Sequence, residues 1–277
     1  CGVICEYNPF HQGHAHHLAR ARELSGAQVV VCVMSGPFTQ RGDPALLAPG
    51  VRAAMALAGG SDVVVELPAA YALREAEAFA LGGVFVLSAL GAEHLSFGCE
   101  SGNLRLLWQA ARLLEAEDAP FQERLRQGLK RGLSHPRARG EALLSRFPEA
   151  EAALFAAPNN ILALCYLRAL LRLGSPMAPV PVPRLGAYHD SGWQAGFASA
   201  TAVRAALCRG DFGRVRRMVP PKALPHLEEA LLLGRVHPPG GLDMLLREKL
   251  HRLEAAALKA FPHTGEGLEH RLKAAAP

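Results

Sequence analysis

Two things are scarce in this 277-residue chain: aromatic side chains, at 6% of residues, and cysteines, of which there are six. The cysteines, at positions 1, 5, 32, 99, 165 and 208, lie scattered through apolar stretches without close paired spacing. That pattern excludes a zinc knuckle or a disulfide framework and leaves reduced core thiols as the expected state. No apolar run approaches the length a bilayer span requires, and the opening Cys1-Gly2-Val3-Ile4-Cys5 has no basic leader before it. The expected location is the cytoplasm, with no membrane association. Internal repeats and low-complexity segments are absent too. Lysine, asparagine and isoleucine are few beside alanine, leucine, arginine, glycine and proline; this bias fits a GC-rich genome and carries no mechanism.

What is present begins with a 50% hydrophobic content, enough for a sizeable core in one large domain or two modest ones. The net charge of +5 is mild and compatible with an anionic partner without naming it. Gly2 to Glu6 reads as a buried strand, Tyr7-Asn8-Pro9-Phe10 as a turn, and the pattern through Leu24 as a helix. Gln28 to Met34 and Asp62 to Leu67 read as further strands around a helix at Val51 to Leu57. Val84 to Leu90 belongs to another helix, and His94 to Phe97 is a strand before a turn at Gly98-Cys99-Glu100-Ser101-Gly102. Alternating strands and helices imply an α/β fold with a parallel sheet.

From Asn103 to Leu173 nearly everything has helical periodicity, broken at Gly132 to Pro136 and at Pro158-Asn159-Asn160. Pro179 to Leu185 is extended, Thr201 to Cys208 helical, and the chain from Leu224 helical again with a break at Pro238 to Gly241. The expected organisation is an α/β domain over 1–208, with a mostly helical insertion at about 103–173, and a helical C-terminal module over 209–277.

Four histidines, at 11, 14, 16 and 17, crowd the point where the first strand passes into the first helix. In an open α/β sheet that crossing is where ligands bind. A helix N-terminus there presents unpaired N–H groups and the positive end of the helix dipole to phosphate, and His11 and His14 add donors. Gly13 between them is expected to let a nucleotide approach the backbone. Nucleotidyl transfer builds charge on the α-phosphate and the leaving pyrophosphate, which positioned donors stabilise without a protein nucleophile. Downstream, Ser199-Ala200-Thr201-Ala202-Val203-Arg204 offers two hydroxyls and a guanidinium at a second helix start, again suited to phosphate.

With both motifs in hand, the chain resembles the HIGH-type nucleotidyltransferase superfamily. More narrowly it is similar to the bacterial tRNA(Met) cytidine acetate ligases. Glu6 to His14, Met34 to Gly42, Ser96 to Glu100, Pro158 to Leu162, Arg184 to His189 and Ser199 to Arg204 carry the likeness, in order, over almost the whole chain. The resemblance implies a Rossmann-like parallel-sheet nucleotidyltransferase domain. It implies that acetate and ATP, accompanied by Mg2+, form acetyl adenylate, whose acetyl group passes to the exocyclic amine of the wobble cytidine of elongator tRNA(Met). By the same resemblance Ile4, Cys5, Glu6, Tyr7, Asn8, Pro9, Phe10, His11, Gln12, Gly13, His14, Ala15, His16 and His17 form the ATP-binding loop, with His11 and His14 catalytic. Gly98, Asn159, Asn160 and Arg184 complete the pocket, joined by Ser199, Thr201 and Arg204. Gln12 stands where the family usually has Asn, and Cys99 where it usually has Ser.

Ser35 and Arg41 follow the second strand on the substrate edge of such a sheet, so acetate or cytidine is expected to contact them. Asp62 and Glu66 flank a strand and are read as structural acids rather than metal ligands; no residue is assigned to a metal. Two basic stretches, Arg124 to Arg139 and Arg209 to Lys222, are candidates for tRNA phosphates, the first diluted by Glu115, Glu117, Asp118 and Glu123. The chain stops just after Glu266 to Lys273, where the family pattern continues into a basic segment. Loss of that segment would weaken tRNA binding more than adenylate formation. No pattern sets the number of subunits. The competing readings are a small-molecule adenylyltransferase, a metal-dependent hydrolase built on the histidines, and a non-catalytic tRNA-binding protein. The second is disfavoured because His16 and His17 point to different helix faces.

Overall fold

The structure is a computed structural model that describes residues 1–100, 103–147, 152–155, 157–183, 198–237, 240–261, 264 and 267–275. Five strands form one wholly parallel sheet: β1 (Gly2–Cys5), β2 (Val31–Ser35), β3 (Val63–Leu67), β4 (His94–Cys99) and β5 (Ala178–Pro183), in the order β3-β2-β1-β4-β5. The early helices are α1 (Gln12–Ser25), α2 (Pro49–Ala58), α3 (Ala69–Ala72) and α4 (Ala76–Ala89). Between β4 and β5 run α5 (Leu104–Ala116), α6 (Ala119–Lys130), α7 (His135–Arg146), a 3-10 turn (Ala152–Phe155) and α8 (Pro158–Leu173). After β5 come α9 (Ala200–Cys208), α10 (Phe212–Met218), α11 (Leu224–Leu232), α12 (Asp243–Arg252), α13 (Ala255–Lys259) and α14 (Leu268–Ala275). The expected parallel α/β architecture is therefore present. None of the helices among the described residues is long and apolar enough to cross a membrane.

Strand pleating sorts the core into two layers. On one face Val33, Leu67, Leu95 and Phe97 pack with Phe79 and Val84 of α4, Leu107 of α5 and Leu167 of α8. On the other, Val3, Cys32 and Met34 pack with Leu18 of α1 and Met55 of α2. Val203, Met218 and Leu227, from α9, α10 and α11, join that second layer. Two consequences follow for the expected organisation. Helices α5 and α8, read as parts of an insertion, share the core of the sheet itself. Packing also continues across residue 208, because α10 and α11 lie on the same face as α1 and α2.

Local chemistry explains the details. A Cβ on Gly83 would meet the Ile4 side chain at 2.5 Å, so the glycine allows α4 to lie closely on β1. β5, with the sequence Ala178-Pro179-Val180-Pro181-Val182-Pro183, tolerates three prolines because it is an edge strand. Alternate prolines remove N–H donors from the same side of the strand, which leaves the outer edge unable to template another strand. One boundary differs from expectation: β4 continues through Gly98 and Cys99, which were read as a turn, because they pair with Val182 and Pro183. Likewise β2 starts at Val31 rather than Gln28, and Asp62 is structural as expected, its carboxylate accepting from the Val30 N–H at 2.7 Å and from Arg22 at 2.5 Å.

On the α4 face, Arg168 of α8 is buried and donates to Glu77 of α4 and, at 2.5 Å, to Glu115 of α5. Arg139 of α7 and Arg172 of α8 extend the network to the same acids at 2.9 and 2.7 Å. Burial works against ionisation of Glu77 and Glu115, but the surrounding guanidinium groups outweigh it and hold both carboxyls below their usual range. Arg168→Ala strands these acids and is expected to cost about 2–4 kcal/mol at neutral pH. Both folded-state values are lowered, so the network's contribution is complete above the unfolded carboxyl value near ~4.3 and is lost as pH falls through the folded values. Denaturant unfolding should therefore show the gap between wild type and Arg168→Ala narrowing below about pH 4; a gap that widens there would contradict this account.

Candidate active site

The strand order reverses direction at β1: the chain moves outward through β2 and β3, then returns to lay β4 on the other side. The crevice beyond the carboxyl ends of β1 and β4 is thus the switch point, where open parallel sheets take ligands. The loop Glu6 to His11 emerges into it. Tyr7 holds a left-handed backbone (φ 48°) and Asn8-Pro9 is a cis peptide. The Tyr7 ring is buried, with its hydroxyl 3.4 Å from the Cys32 sulfur and its face edge-on to Phe10 at 4.9 Å. Burial raises the Tyr7 phenol and the Cys5 thiol well above their ordinary values and keeps both protonated. Ile4, Cys5, Tyr7 and Phe10 therefore spend their side chains on packing and offer the crevice only backbone.

His11 and His14 cap α1 reciprocally. The Gly13 N–H donates to His11 Nδ1 at 3.0 Å, and the His11 N–H donates to His14 Nδ1 at 3.3 Å. The two rings stack with centroids 3.7 Å apart, and His14 also lies 4.6 Å from the Tyr7 ring. This is a capping box built from imidazoles rather than from a hydroxyl and a carboxylate. It carries a chemical consequence: a nitrogen that accepts from a backbone N–H cannot carry a proton. Each imidazole, while neutral, is thus fixed with its proton on Nε2. Gly13 has a reason other than the expected one, since a Cβ there would meet His11 Cε1 at 2.9 Å. The glycine makes room for the capping ring.

The second motif reaches the first directly. Ser199 caps α9 by accepting from the Ala202 N–H at 3.1 Å, and Arg204, one turn on, donates to the Asn8 carbonyl at 2.6 Å and to Thr201 Oγ1 at 3.1 Å. Burial lowers the Arg204 pKa, with Glu6 and Asp43 opposing and Arg41 adding to the shift. Arg41 is exposed in the loop after β2, while Ser35 is buried and its hydroxyl has no hydrogen-bond partner. Asn8 Oδ1 accepts from the Leu46 N–H at 2.7 Å, and Glu6 accepts from the Gln40 N–H at 2.5 Å, tying the loop after β2 to the loop after β1.

Beneath these loops lies a residue that sequence reasoning passed over. Arg52 of α2 is fully buried and donates to the carbonyls of Glu6, Gly36, Ser35 at 2.9 Å and Leu47 at 3.2 Å. It clamps the carboxyl ends of β1 and β2 together. Nothing in the amphipathic pattern of α2 distinguishes it from a surface arginine. Glu100 was missed as well: just past β4, its carboxylate accepts from the Asn160 N–H at 3.0 Å and from the Asn159 side chain at 2.5 Å, while its own N–H donates to Asn160 Oδ1 at 3.0 Å. Asn159 and Asn160 are thereby held at the end of β4, near Gly98. His17 points to the sheet, 3.1 Å from Ser96 Oγ of β4, and Gln12 reaches the Val219 carbonyl at 3.4 Å. Ala15 packs against the α1-side core, and Arg184 lies outside the described residues. Among the described residues no group of three or more histidines, cysteines or acids could hold a metal ion.

The arrangement is suited to phosphate. It combines the start of α1, two imidazoles and a partly buried guanidinium that reaches in from α9 to the loop after β1 at the switch point. Comparison with known proteins agrees with that geometry. The family model described as HIGH Nucleotidyl Transferase matches residues 1–277. A tRNA(Met) cytidine acetate ligase of Halothermothrix orenii is 36% identical over 291 residues, covering 99% of this chain and 68% of that protein. The protein of the same name from Bacillus subtilis is 36% identical over 276 residues, covering 98% and 66%. Thermotoga maritima TmcAL bound with alpha-thio ATP superposes with a TM-score of 0.91 at 35% identity, covering 99% of this chain and 66% of that one. The chain thus spans about two thirds of the length of the relatives it matches. It belongs to the HIGH nucleotidyl transferase family, among the tRNA(Met) cytidine acetate ligases.

Proposed function

We propose that this chain activates acetate with ATP and transfers the acetyl group to the wobble cytidine of elongator tRNA(Met). The observation that carries the reading is the double imidazole cap of α1, tied through Asn8 to Arg204. In the first step an acetate oxygen attacks the α-phosphorus, the bond to the β-phosphate oxygen breaks, and pyrophosphate leaves. The Nε2–H groups of His11 and His14 and the Arg204 guanidinium meet the charge that develops on the phosphates, and no protein nucleophile takes part. In the second step the exocyclic amine of cytidine attacks the acetyl carbonyl, AMP leaves with the bonding electrons, and the amine loses a proton. Mg2+ would accompany ATP and would offset the charge of its phosphates; no residue of this chain is assigned to hold it. Gly98, Asn159 and Asn160 border the nucleotide at the end of β4, and Ser35, buried at the end of β2, and Arg41, in the loop that follows, are assigned to the acyl or cytidine side. The setting of such a tRNA-modifying reaction is the cytoplasm.

Acetate-dependent release of pyrophosphate and AMP, with acetylcytidine measured in the same reaction, tests the reading. Production of all three supports it, whereas an AMP-bearing product without acetate dependence would move the assignment to a small-molecule adenylyltransferase. His14→Ala is expected to lower acetate-dependent pyrophosphate release by a factor on the order of 10²–10³, the range seen when one transition-state donor is removed. The fold should survive, with a loss of about 1 kcal/mol for the cap; a folded variant of full activity would overturn the role given to His14. Gly13→Ala separates site from helix propensity. Alanine is the better helix former by about 1 kcal/mol, yet its Cβ displaces the His11 ring, so activity should fall sharply with circular dichroism unchanged.

A further inference from the structure

A second arginine-lined feature lies off the catalytic crevice. A groove of about 380 Å³ between α5 and the end of α7 is lined by Arg105, Gln109, Arg112, Leu113, Arg146 and Phe147. Arg105 and Arg112 are exposed and have no acidic partner among the described residues. Neighbouring arginines differ: Arg126 is bound by Glu123, Arg131 by Glu141, and Arg168 and Arg172 by Glu77 and Glu115. Arg146 is paired with Asp118 at 2.7 Å, and Arg112 lies over the Trp108 ring at 5.9 Å. Arg126, Arg131, Arg137 and Arg139 of the basic run singled out in the sequence are thus tied into ion pairs, while Arg124 and Lys130 of α6 join Arg105 and Arg112 of α5 as exposed cations with no ion pair among the described residues.

Position and helix physics argue for a ligand. Arg105 sits in the first turn of α5, where a cation opposes the helix dipole and no acid offsets it. Arg105, Gln109 and Arg112, at i, i+4 and i+7, share one face of the helix. Seven residues of helix place their Cα atoms about 10 Å apart along the axis, a span that neighbouring phosphates of one backbone can occupy. The stripe begins just beyond β4, on the same edge of the sheet as the switch-point crevice, and runs away from it. An RNA that delivers a nucleotide to the crevice would lay its adjoining backbone along that line.

We infer that the α5 groove binds successive phosphates of the RNA substrate through Arg105 and Arg112, with Arg146 beside them. This rests on the proposed function for the identity of the RNA. The site carries no sequence information, since phosphate contacts set register and affinity rather than base choice. An acidic protein would match the charge but has no reason to approach the nucleotide edge.

The test measures binding of an elongator tRNA(Met) transcript by the full chain over a series of salt concentrations. The double variant R105A/R112A should bind on the order of tenfold more weakly, and the slope of log affinity against log salt should shrink by roughly 1.5 to 2, as expected for two lost phosphate contacts. R105K/R112K should retain most of the binding and the slope, and Arg126→Ala, which breaks only an exposed surface pair, should match wild type. Equal affinity and slope for wild type and R105A/R112A would overturn the inference, as would absence of salt-dependent binding by wild type. Acetate-dependent pyrophosphate release without tRNA should be the same in all variants. If wild type lacks that release, the functional reading fails while the binding result still decides the groove.

Discussion

The site depends on a cation placed where cations rarely are. Arg52 is wholly buried, and a charge in such a place costs several kcal/mol unless its hydrogen bonds are met. They are met by backbone carbonyls at the ends of two adjacent parallel strands, which have lost their ladder partners because the chain turns away there. Each side solves the other's problem: the carbonyls stabilise the guanidinium, and the guanidinium satisfies the carbonyls. Burial lowers the Arg52 pKa, with Cys5, Glu6 and Glu66 opposing. Because α2 supplies the arginine, the loops after β1 and β2 move only as α2 moves.

On that base the loop after β1 is held by packing and by hydrogen bonds to its backbone and side chains. Aromatic packing fixes Tyr7 and Phe10, Arg204 grips the backbone at Asn8, and the amide of Leu46 holds the Asn8 side chain. The imidazoles then have little freedom in ring orientation or proton placement, which is the meaning of preorganisation at a site that must stabilise developing phosphate charge. The same residues that cap the helix are the ones proposed as donors to phosphate, and the two roles would use different ring nitrogens.

Much of this was legible in the sequence, for identifiable reasons. The β-branched run Val63 to Val65 and the strand-to-helix passage at Cys5 to His11 announce a parallel sheet, since few other patterns produce them. The histidine and Ser-Thr-Arg motifs were visible because unusual residue types recur at fixed spacing. Arg52 was not, because its distinction is burial, and burial of a single charged residue leaves no periodic trace. Gly13 was assigned to ligand approach when its immediate neighbour is an imidazole ring. Glu100 lay inside a segment taken for a turn, and its role as acceptor for Asn159 and Asn160 depends on a partner sixty residues away. The basic stretch of α6 and α7 was visible, but the pairing of Arg126, Arg131, Arg137 and Arg139 with acids appears only in three dimensions.

The central position of β1 has a consequence for synthesis. β1 can pair with β2 once about the first 35 residues have emerged, but its other edge waits for β4, and the loop beyond it is not gripped until Arg204 arrives, 196 residues after Asn8. Such long-range closures come late and slowly. β5 and the core layer added by α9, α10 and α11 emerge in the same late stretch as Arg204, so the sheet, its second layer and the loop after β1 are completed together, near the end of synthesis.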